Sequence, residues 1–134
     1  MHMSTSILVV DDNPTNLKLA VQLLTYDGYA VAQACDAETA LAMIRTTSPT
    51  LVLLDLQLPR MDGLELARIL KADEKTRPVS LIAFTAHAMK GDVEMATAAG
   101  CDGYMTKPIN TRTFSAEVAA FVAATKGRSK PEHT

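Results

Sequence analysis

The sequence predicts an α/β domain in which one five-stranded parallel sheet is flanked by five helices. Short apolar runs alternate along the chain with amphipathic helical patterns, which is typical of parallel β-α units. The length of 134 residues and the hydrophobic content of 48% fit one domain with a substantial core. The net charge of −2 gives no general attraction to nucleic acid or anionic lipid.

The strand predictions rest on continuous apolar runs, because strands covered by helices on both faces carry apolar side chains on both. Three runs are clear, at residues 7–10, 51–54 and 81–84. Weaker patterns at residues 29–34 and 103–106 predict the second and the fifth strand in chain order.

Helices are predicted where apolar residues recur every three or four positions. The first has Asn13 as a candidate cap, Pro14 in its first turn and a stop at Asp27-Gly28. Residues 62–65 form a capping box before the third. The five apolar stripes are Leu17, Val21, Leu24; Ala37, Ala40, Leu41, Ile44; Leu66, Ile69, Leu70; Met89, Val93, Ala96; and Phe114, Val118, Phe121, Val122.

The domain is expected to span residues 6–125, with flexible ends at 1–5 and 126–134, because the C-terminal stretch is polar and lacks periodicity. Cys35 and Cys101 alone can form neither a disulfide framework nor a tetrahedral zinc site. With neither a secretory signal nor an apolar run of ~20 residues in view, we expect a cytoplasmic protein with reduced thiols and no membrane span.

Polar side chains follow four of the predicted strands. Asp11 and Asp12 follow the first, Asp55 the third, Thr85 the fourth and Lys107 the fifth. Because ligands of open parallel sheets bind at the carboxyl ends of the strands, we expect these groups to gather in one shallow cleft.

Three carboxylates in one cleft need a compensating cation. At ~5 Å and an effective dielectric constant of ~20, a like-charged pair costs about 3 kcal/mol. Oxygen ligands in an open, hydrated cleft favour Mg²⁺. A carboxylate placed beside a divalent cation and Lys107 can attack phosphorus and form an aspartyl phosphate, in a reaction where the protein mainly positions groups and neutralises charge.

The chain resembles the receiver domains of two-component response regulators over residues 7–124. The matching motifs are Asp11-Asp12-Asn13, Asp55, Leu58-Pro59-Arg60-Met61-Asp62-Gly63, Thr85-Ala86 and Lys107-Pro108. The resemblance implies a flavodoxin-like receiver fold with strand order 2-1-3-4-5. Finer similarity, in segments 13–16, 57–59, 85–92 and 100–101, is to single-domain regulators of the DivK type and to receivers of hybrid histidine kinases. A complete domain without an output module favours the first.

The resemblance implies a metal-assisted phosphorylation site. Asp55 is the implied phosphoacceptor. Asp12 and Asp55 are the implied direct ligands of Mg²⁺ (or Mn²⁺), with Asp11 binding through water and Gln57 through its backbone carbonyl.

The resemblance also implies which residues sense the phosphoryl group. Lys107, Thr85 and Ala86 are implied to contact it, and Thr85 and Tyr104 form the implied switch pair. The implied output face comprises the fourth helix, the fifth strand and the fifth helix, within residues 89–124.

Three further residues receive implied roles. Gln57 and His87 are expected to modulate the lifetime of the phosphoryl bond. Pro108 is expected to be structural and to follow a cis peptide bond.

The expected function is a phosphorylation-dependent switch that takes its phosphoryl group from a histidine kinase or a histidine phosphotransfer protein and regulates a protein target. It would catalyse only its own phosphorylation and dephosphorylation, without binding DNA or a membrane. The alternative is a hybrid-kinase receiver that relays the phosphoryl group to a phosphotransfer domain.

Three other functions are less consistent with the residues. A Mg²⁺-dependent phosphatase of the haloacid dehalogenase type needs an Asp-x-Asp arrangement after the first strand, whereas here residues 11–13 read Asp-Asp-Asn. An electron carrier of the flavodoxin type does not fit the acidic turn or the absence of tryptophan. A receiver that acts only as a scaffold would not need the complete acidic cleft.

Overall fold

The computed structural model describes residues 5–58, 63–86 and 90–129. In these ranges strands and helices alternate along the chain. The strands are β1 (Ser6–Val10), β2 (Ala30–Ala34), β3 (Leu51–Leu54), β4 (Ser80–Thr85) and β5 (Gly103–Thr106). The helices are α1 (Pro14–Tyr26), α2 (Ala37–Thr47), α3 (Gly63–Ala72), α4 (Lys90–Ala99) and α5 (Phe114–Ser129).

The strands form one parallel sheet in the order β2-β1-β3-β4-β5, which confirms the predicted fold. Val10 is in register with Ala34 on one side and with Leu54 on the other. At the far edge Thr85 is in register with Thr106. The residues that follow these positions therefore leave the sheet at one common end, where the strands finish.

The core consists of two apolar layers, one on each face of the sheet, which explains why the central strands read as continuous apolar runs. Alternate strand residues such as Leu8, Val52 and Leu81 pack with α2, α3 and α4. Their neighbours, including Val9 and Leu53, pack with α1 and α5. The sheet is thus held between helices on both faces.

The end signals of α1 are formed as predicted. Asn13 caps the helix through its side-chain oxygen, which accepts hydrogen bonds from the amides of Thr15 and Asn16 at 2.9 and 3.1 Å. Asp36 caps α2 in the same way through the amide of Thr39, a cap that the sequence analysis did not identify. The predicted capping residue Asp62 lies outside the described residues.

Helix α5 is longer than the sequence predicted. The expected flexible end began at residue 126, whereas the helix continues to Ser129. Lysine and arginine at positions 126 and 128 are good helix formers, and a single interior glycine costs only about 1 kcal/mol. The helix therefore extends into the segment that was expected to be a flexible end, and the expected domain bounds of 6–125 stay a prediction. Among the described residues, none of the helices has the length and hydropathy that crossing a bilayer requires.

Candidate functional site

Three carboxylates meet at the carboxyl edge of the sheet. Asp11 and Asp12 follow β1, Asp55 follows β3, and one oxygen of each lies within 4.8 Å of the other two. Asp11 and Asp55 are only 1% and 5% exposed, whereas Asp12 is open to solvent. The cluster therefore has a buried pair of acids and one acid at its rim.

Backbone hydrogen bonds fix both buried carboxylates. The amide of Asp55 donates to the carbonyl of Val10 at 2.9 Å, which continues the β1–β3 pairing one residue beyond the strands. Each carboxylate then accepts from the amide two residues later: Asp11 Oδ1 from Asn13 and Asp55 Oδ1 from Gln57, both at 2.9 Å. These turns leave the Oδ2 atom of each acid directed at the other groups of the cleft.

Among the described residues, Lys107 is the cation that contacts the buried acids. Its Nζ lies 2.7 Å from Asp11 Oδ2 and 3.1 Å from Asp55 Oδ2. The aliphatic stem is covered, so that only 11% of the side chain is exposed, and Nζ lies 5.6 Å from the centre of the Phe84 ring. The amide of Lys107 donates to the carbonyl of Thr85 at 2.9 Å, which anchors the residue to the end of β4.

The charges in the cleft leave room for a divalent cation. Among the described residues one ammonium faces three carboxylates, and the Oδ2 atom of Asp11 is buried with no hydrogen-bond partner among them, although the Lys107 ammonium lies 2.7 Å away. Closely spaced hard oxygen atoms with excess negative charge are the donor set that Mg²⁺ prefers. The residues therefore fit a Mg²⁺ ion.

The crowding changes two pKa values. Burial raises the pKa of Asp55 above its usual value; the hydrogen bond from the Gln57 amide and the charge of Lys107 oppose this, while Asp11 adds to it. Burial alone would lower the pKa of Lys107, but its close contact with Asp11 and the charge of Asp55 raise it overall. At neutral pH the ammonium is therefore secure, and ionised Asp55 is held under electrostatic stress.

Removing the Asp55 charge should stabilise the metal-free protein. Because the folded-state pKa of Asp55 is raised, the folded protein is more stable when Asp55 is protonated. This contribution to stability is fully present below the unfolded pKa of about 3.9 and is lost as the pH rises through the folded pKa. In EDTA at pH 7 we expect Asp55→Asn to melt about 4 °C higher than the wild type, which corresponds to a gain of about 1 kcal/mol in the free energy of unfolding. Mg²⁺ should raise the melting temperature of the wild type and of the control more than that of Asp55→Asn. Asp27→Asn, at an exposed carboxylate, is the control, and an unchanged or lower melting temperature for Asp55→Asn would contradict a stressed site.

Thr85 and Tyr104 lie on the same face of the sheet. Thr85 ends β4 and is 1% exposed, while Ala86 after it is exposed. Tyr104 on β5 is in register with Ala83, is half-buried, and packs on the layer that contains α3 and α4. Burial and then the charge of Asp92, in the first turn of α4, raise the pKa of Tyr104.

The remaining predicted residues are placed as follows. The backbone of Gln57 bonds to Asp55 and its side chain is exposed. The Lys107–Pro108 peptide bond is cis, as the resemblance implied. His87 lies outside the described residues.

The structure adds Gly63, whose importance the sequence analysis did not identify. A Cβ atom at this position would lie 2.5 Å from the backbone oxygen of Asp55 and 2.6 Å from Cα of Leu56. The first residue of α3 therefore packs directly on the backbone that carries Asp55. The glycine was visible in the motif of residues 58–63, but the close approach depends on the tertiary structure.

Comparisons with known proteins show the family to which this chain belongs. A family model described as the response regulator receiver domain matches residues 7–119. The polar-differentiation response regulator DivK of Brucella ovis is 38% identical over 120 residues, which cover 90% of this chain and 98% of DivK.

Solved structures of receiver domains have a similar fold. A CheY-like response regulator receiver domain protein of Methanospirillum hungatei JF-1 superimposes with a TM-score of 0.85 at 30% identity, over 95% of this chain and 100% of that one. The receiver domain of a sensor histidine kinase from Pseudomonas aeruginosa PAO1, solved with a magnesium ion coordinated in its active-site cleft, gives 0.82 at 30% identity, over 90% and 99%. The chain thus belongs to the response regulator receiver domain family of two-component signal transduction.

Proposed function

We propose that this protein is a phosphorylation-dependent switch in a two-component phosphorelay and that Asp55 is its phosphoacceptor. The observation that carries the proposal is the placement of Asp55, a nearly buried carboxylate 3.1 Å from the Lys107 ammonium and within 4.8 Å of two other acids. A carboxylate in such a site is a suitable nucleophile for phosphorus once its charge is balanced.

Among the three acids, Asp55 is the best placed to react. Asp11 is more deeply buried, at 1% exposed, and its Oδ2 lies against the Lys107 ammonium at 2.7 Å, so it is less accessible to a phosphoryl donor. Asp12 is exposed and lacks a low-dielectric surrounding. Asp55 has Oδ1 fixed by the Gln57 amide and Oδ2 beside the ammonium, where a phosphoryl oxygen would also be stabilised.

The proposed step moves one phosphoryl group from a phosphohistidine to Asp55. A bond forms between the carboxylate oxygen and phosphorus as the bond between phosphorus and the imidazole nitrogen breaks. The electron pair of the broken bond stays on the imidazole, which then takes a proton from solvent. Lys107 faces the new phosphoryl oxygens and balances part of their charge.

We propose Asp12 and Asp55 as direct ligands of Mg²⁺ (or Mn²⁺), with Asp11 binding through water and Gln57 through its carbonyl. A bound divalent cation would neutralise charge on the carboxylates and the phosphoryl oxygens. The acidic cluster and the magnesium ion in the related Pseudomonas receiver support this assignment.

The signal is proposed to leave the site through Thr85. Together with Ala86 it would contact the phosphoryl group, and Tyr104, which lies on the same face of the sheet, would follow its movement. The output face is proposed to be α4, β5 and α5. Gln57 and His87 are proposed to modulate the lifetime of the phosphoryl bond.

The proposed donor is a histidine kinase or a histidine phosphotransfer protein in the cytoplasm, and the proposed target is a protein rather than DNA. Similarity both to DivK and to receivers of histidine kinases supports donors of this class. It leaves two roles open: a separate regulator, and a receiver that passes the phosphoryl group on to a phosphotransfer domain.

Intact-protein mass spectrometry after incubation with acetyl phosphate and Mg²⁺ tests the proposal. We expect one phosphoryl group on the wild type and on the control Asp27→Asn, and none on Asp55→Asn or in EDTA. If hydrolysis is fast, the wild type should instead release phosphate steadily, and Asp55→Asn should not. A wild type that neither gains mass nor releases phosphate would contradict the proposed function, as would a phosphorylated Asp55→Asn.

A further inference from the structure

A second polar cluster lies at the opposite end of the sheet. Lys71, near the end of α3, directs Nζ to the carbonyl oxygens of Arg77 and Val79, both at 2.8 Å, and to Asp102 Oδ2 at 3.0 Å. An ammonium has three N–H donors, and these three acceptors match that number. The side chains of Lys71 and Asp102 are only 19% and 23% exposed, so the pair is largely withdrawn from solvent.

Asp102 extends this cluster into the sheet. Its Oδ2 also accepts from the amide of Leu81 at 2.9 Å, and its own amide donates to the carbonyl of Leu81 at 2.7 Å. One ion pair therefore connects the end of α3, the beginning of β4 and the turn between α4 and β5. We call these contacts of Lys71, Asp102 and Leu81 the α3–β5 latch.

Gly100 fits this latch closely. Its φ is +109°, a backbone conformation that residues with a Cβ atom rarely adopt. A Cβ atom here would lie 2.6 Å from Cγ of Lys71. This carbon lies in the middle of the lysine side chain, whose ammonium is fixed by its three acceptors. The residue that follows α4 is thus pressed against the lysine.

The two halves of helix α4 differ in how deeply they are buried. Among its residues whose side chains the structure describes, the buried ones are Ala96 and Ala99, both in the second half. In the first half Gly91 is exposed, and a Cβ there would meet nothing within 4 Å. A cavity of about 130 Å³ lies beside this half, lined by Leu56, Gln57, Leu64, Thr85, Asp92 and Met95.

We infer that Lys71 is a positioning residue which fixes the C-terminal end of α4, so that α4 responds to phosphorylation by moving its first half about that end. The inference rests on the proposed function, because phosphorylation at Asp55 supplies the displacement. The first half of α4 lies beside the cavity that Thr85 lines and has few buried contacts to resist a shift. The second half is joined through the short turn of residues 100–101 to Asp102, which the latch holds.

Amide hydrogen exchange by NMR tests this inference, in Mg²⁺ with and without a sustained excess of acetyl phosphate. Mass spectra and phosphate release of the same samples report phosphorylation. In the wild type we expect exchange at Glu94 and Met95 to change about tenfold, while Leu81 and Asp102 stay within about twofold. In Lys71→Met the change should spread to Leu81 and Asp102. Lys75→Met, at an exposed lysine, should behave like the wild type.

Each other outcome overturns the inference for a distinct reason. A phosphorylated wild type in which Leu81 and Asp102 change as much as Glu94 would show that the latch does not hold, while the proposed function would stand. A wild-type response pattern in folded Lys71→Met would remove the role of the lysine. Absence of both adduct and phosphate release would overturn the proposed function and the inference together. If Lys71→Met fails to fold, Asp102→Asn removes the same ion pair at nearly equal volume and should show the same spread of the change to Leu81, whereas a wild-type pattern in it would overturn the inference.

Discussion

Gly63→Ala should destabilise the protein by about 3 kcal/mol and weaken the metal site. The added methyl group would lie 2.5 Å from the backbone oxygen of Asp55 and 2.6 Å from Cα of Leu56. Backbone atoms cannot rotate away as a side chain could, so α3 must move relative to the loop after β3. Urea unfolding should show the loss, and calorimetry should show weaker Mg²⁺ binding because the loop carries Asp55.

Gly91→Ala is the matched control for this substitution. It also replaces a helical glycine by alanine, but the new methyl group would meet nothing within 4 Å. Alanine is the better helix former, so we expect a gain of about 0.5–1 kcal/mol and unchanged Mg²⁺ binding. Similar stabilities for the two variants would show that close packing at residue 63 is not important.

Lys107→Met should cost about 3–4 kcal/mol in EDTA at pH 8. The substitution keeps most of the stem but leaves Asp11 and Asp55, only 1% and 5% exposed, without their ammonium. Because the folded-state pKa of Asp55 is already raised and would rise further, the loss should shrink as the pH falls towards the usual carboxyl range. Urea unfolding of the variant at pH 8 and about pH 4.5 measures this difference.

Mg²⁺ separates a charge effect from a packing effect in this variant. A divalent cation can balance carboxylates that have lost their ammonium, so Mg²⁺ should stabilise Lys107→Met more than the wild type. Lys18→Met, at an exposed lysine on α1, should remain within about 0.5 kcal/mol of the wild type. An equal loss at both pH values without response to Mg²⁺ would indicate lost packing instead.

The sequence was most informative where both faces of a strand are covered. The central strands β1, β3 and β4 are almost entirely buried, so their apolar runs are continuous. The edge strands β2 and β5 are partly exposed, with only Ala34 and Met105 buried, and gave weaker patterns. Periodicity identifies strands but does not encode their neighbours, so the strand order depended on the resemblance to a family.

It was predictable that the acids would share one end of the sheet, because strands and helices alternate as in parallel β-α units. Residues after parallel strands share an edge, and Asp11, Asp12, Asp55 and Lys107 do meet there. The Lys71–Asp102 pair was not predictable in the same way. Its members are 31 positions apart in the sequence, follow no helical or strand period, and contact only because α3 and α4 are neighbours in the folded chain.

The most direct test of the account is to locate the acyl phosphate. Borohydride reduces an aspartyl phosphate to homoserine, so peptide mass spectrometry after acetyl phosphate, Mg²⁺ and borohydride identifies the residue that was modified. We expect homoserine at position 55, dependent on Mg²⁺ and absent without acetyl phosphate. Homoserine at position 11 or 12 instead would contradict the assignment of Asp55 as the phosphoacceptor.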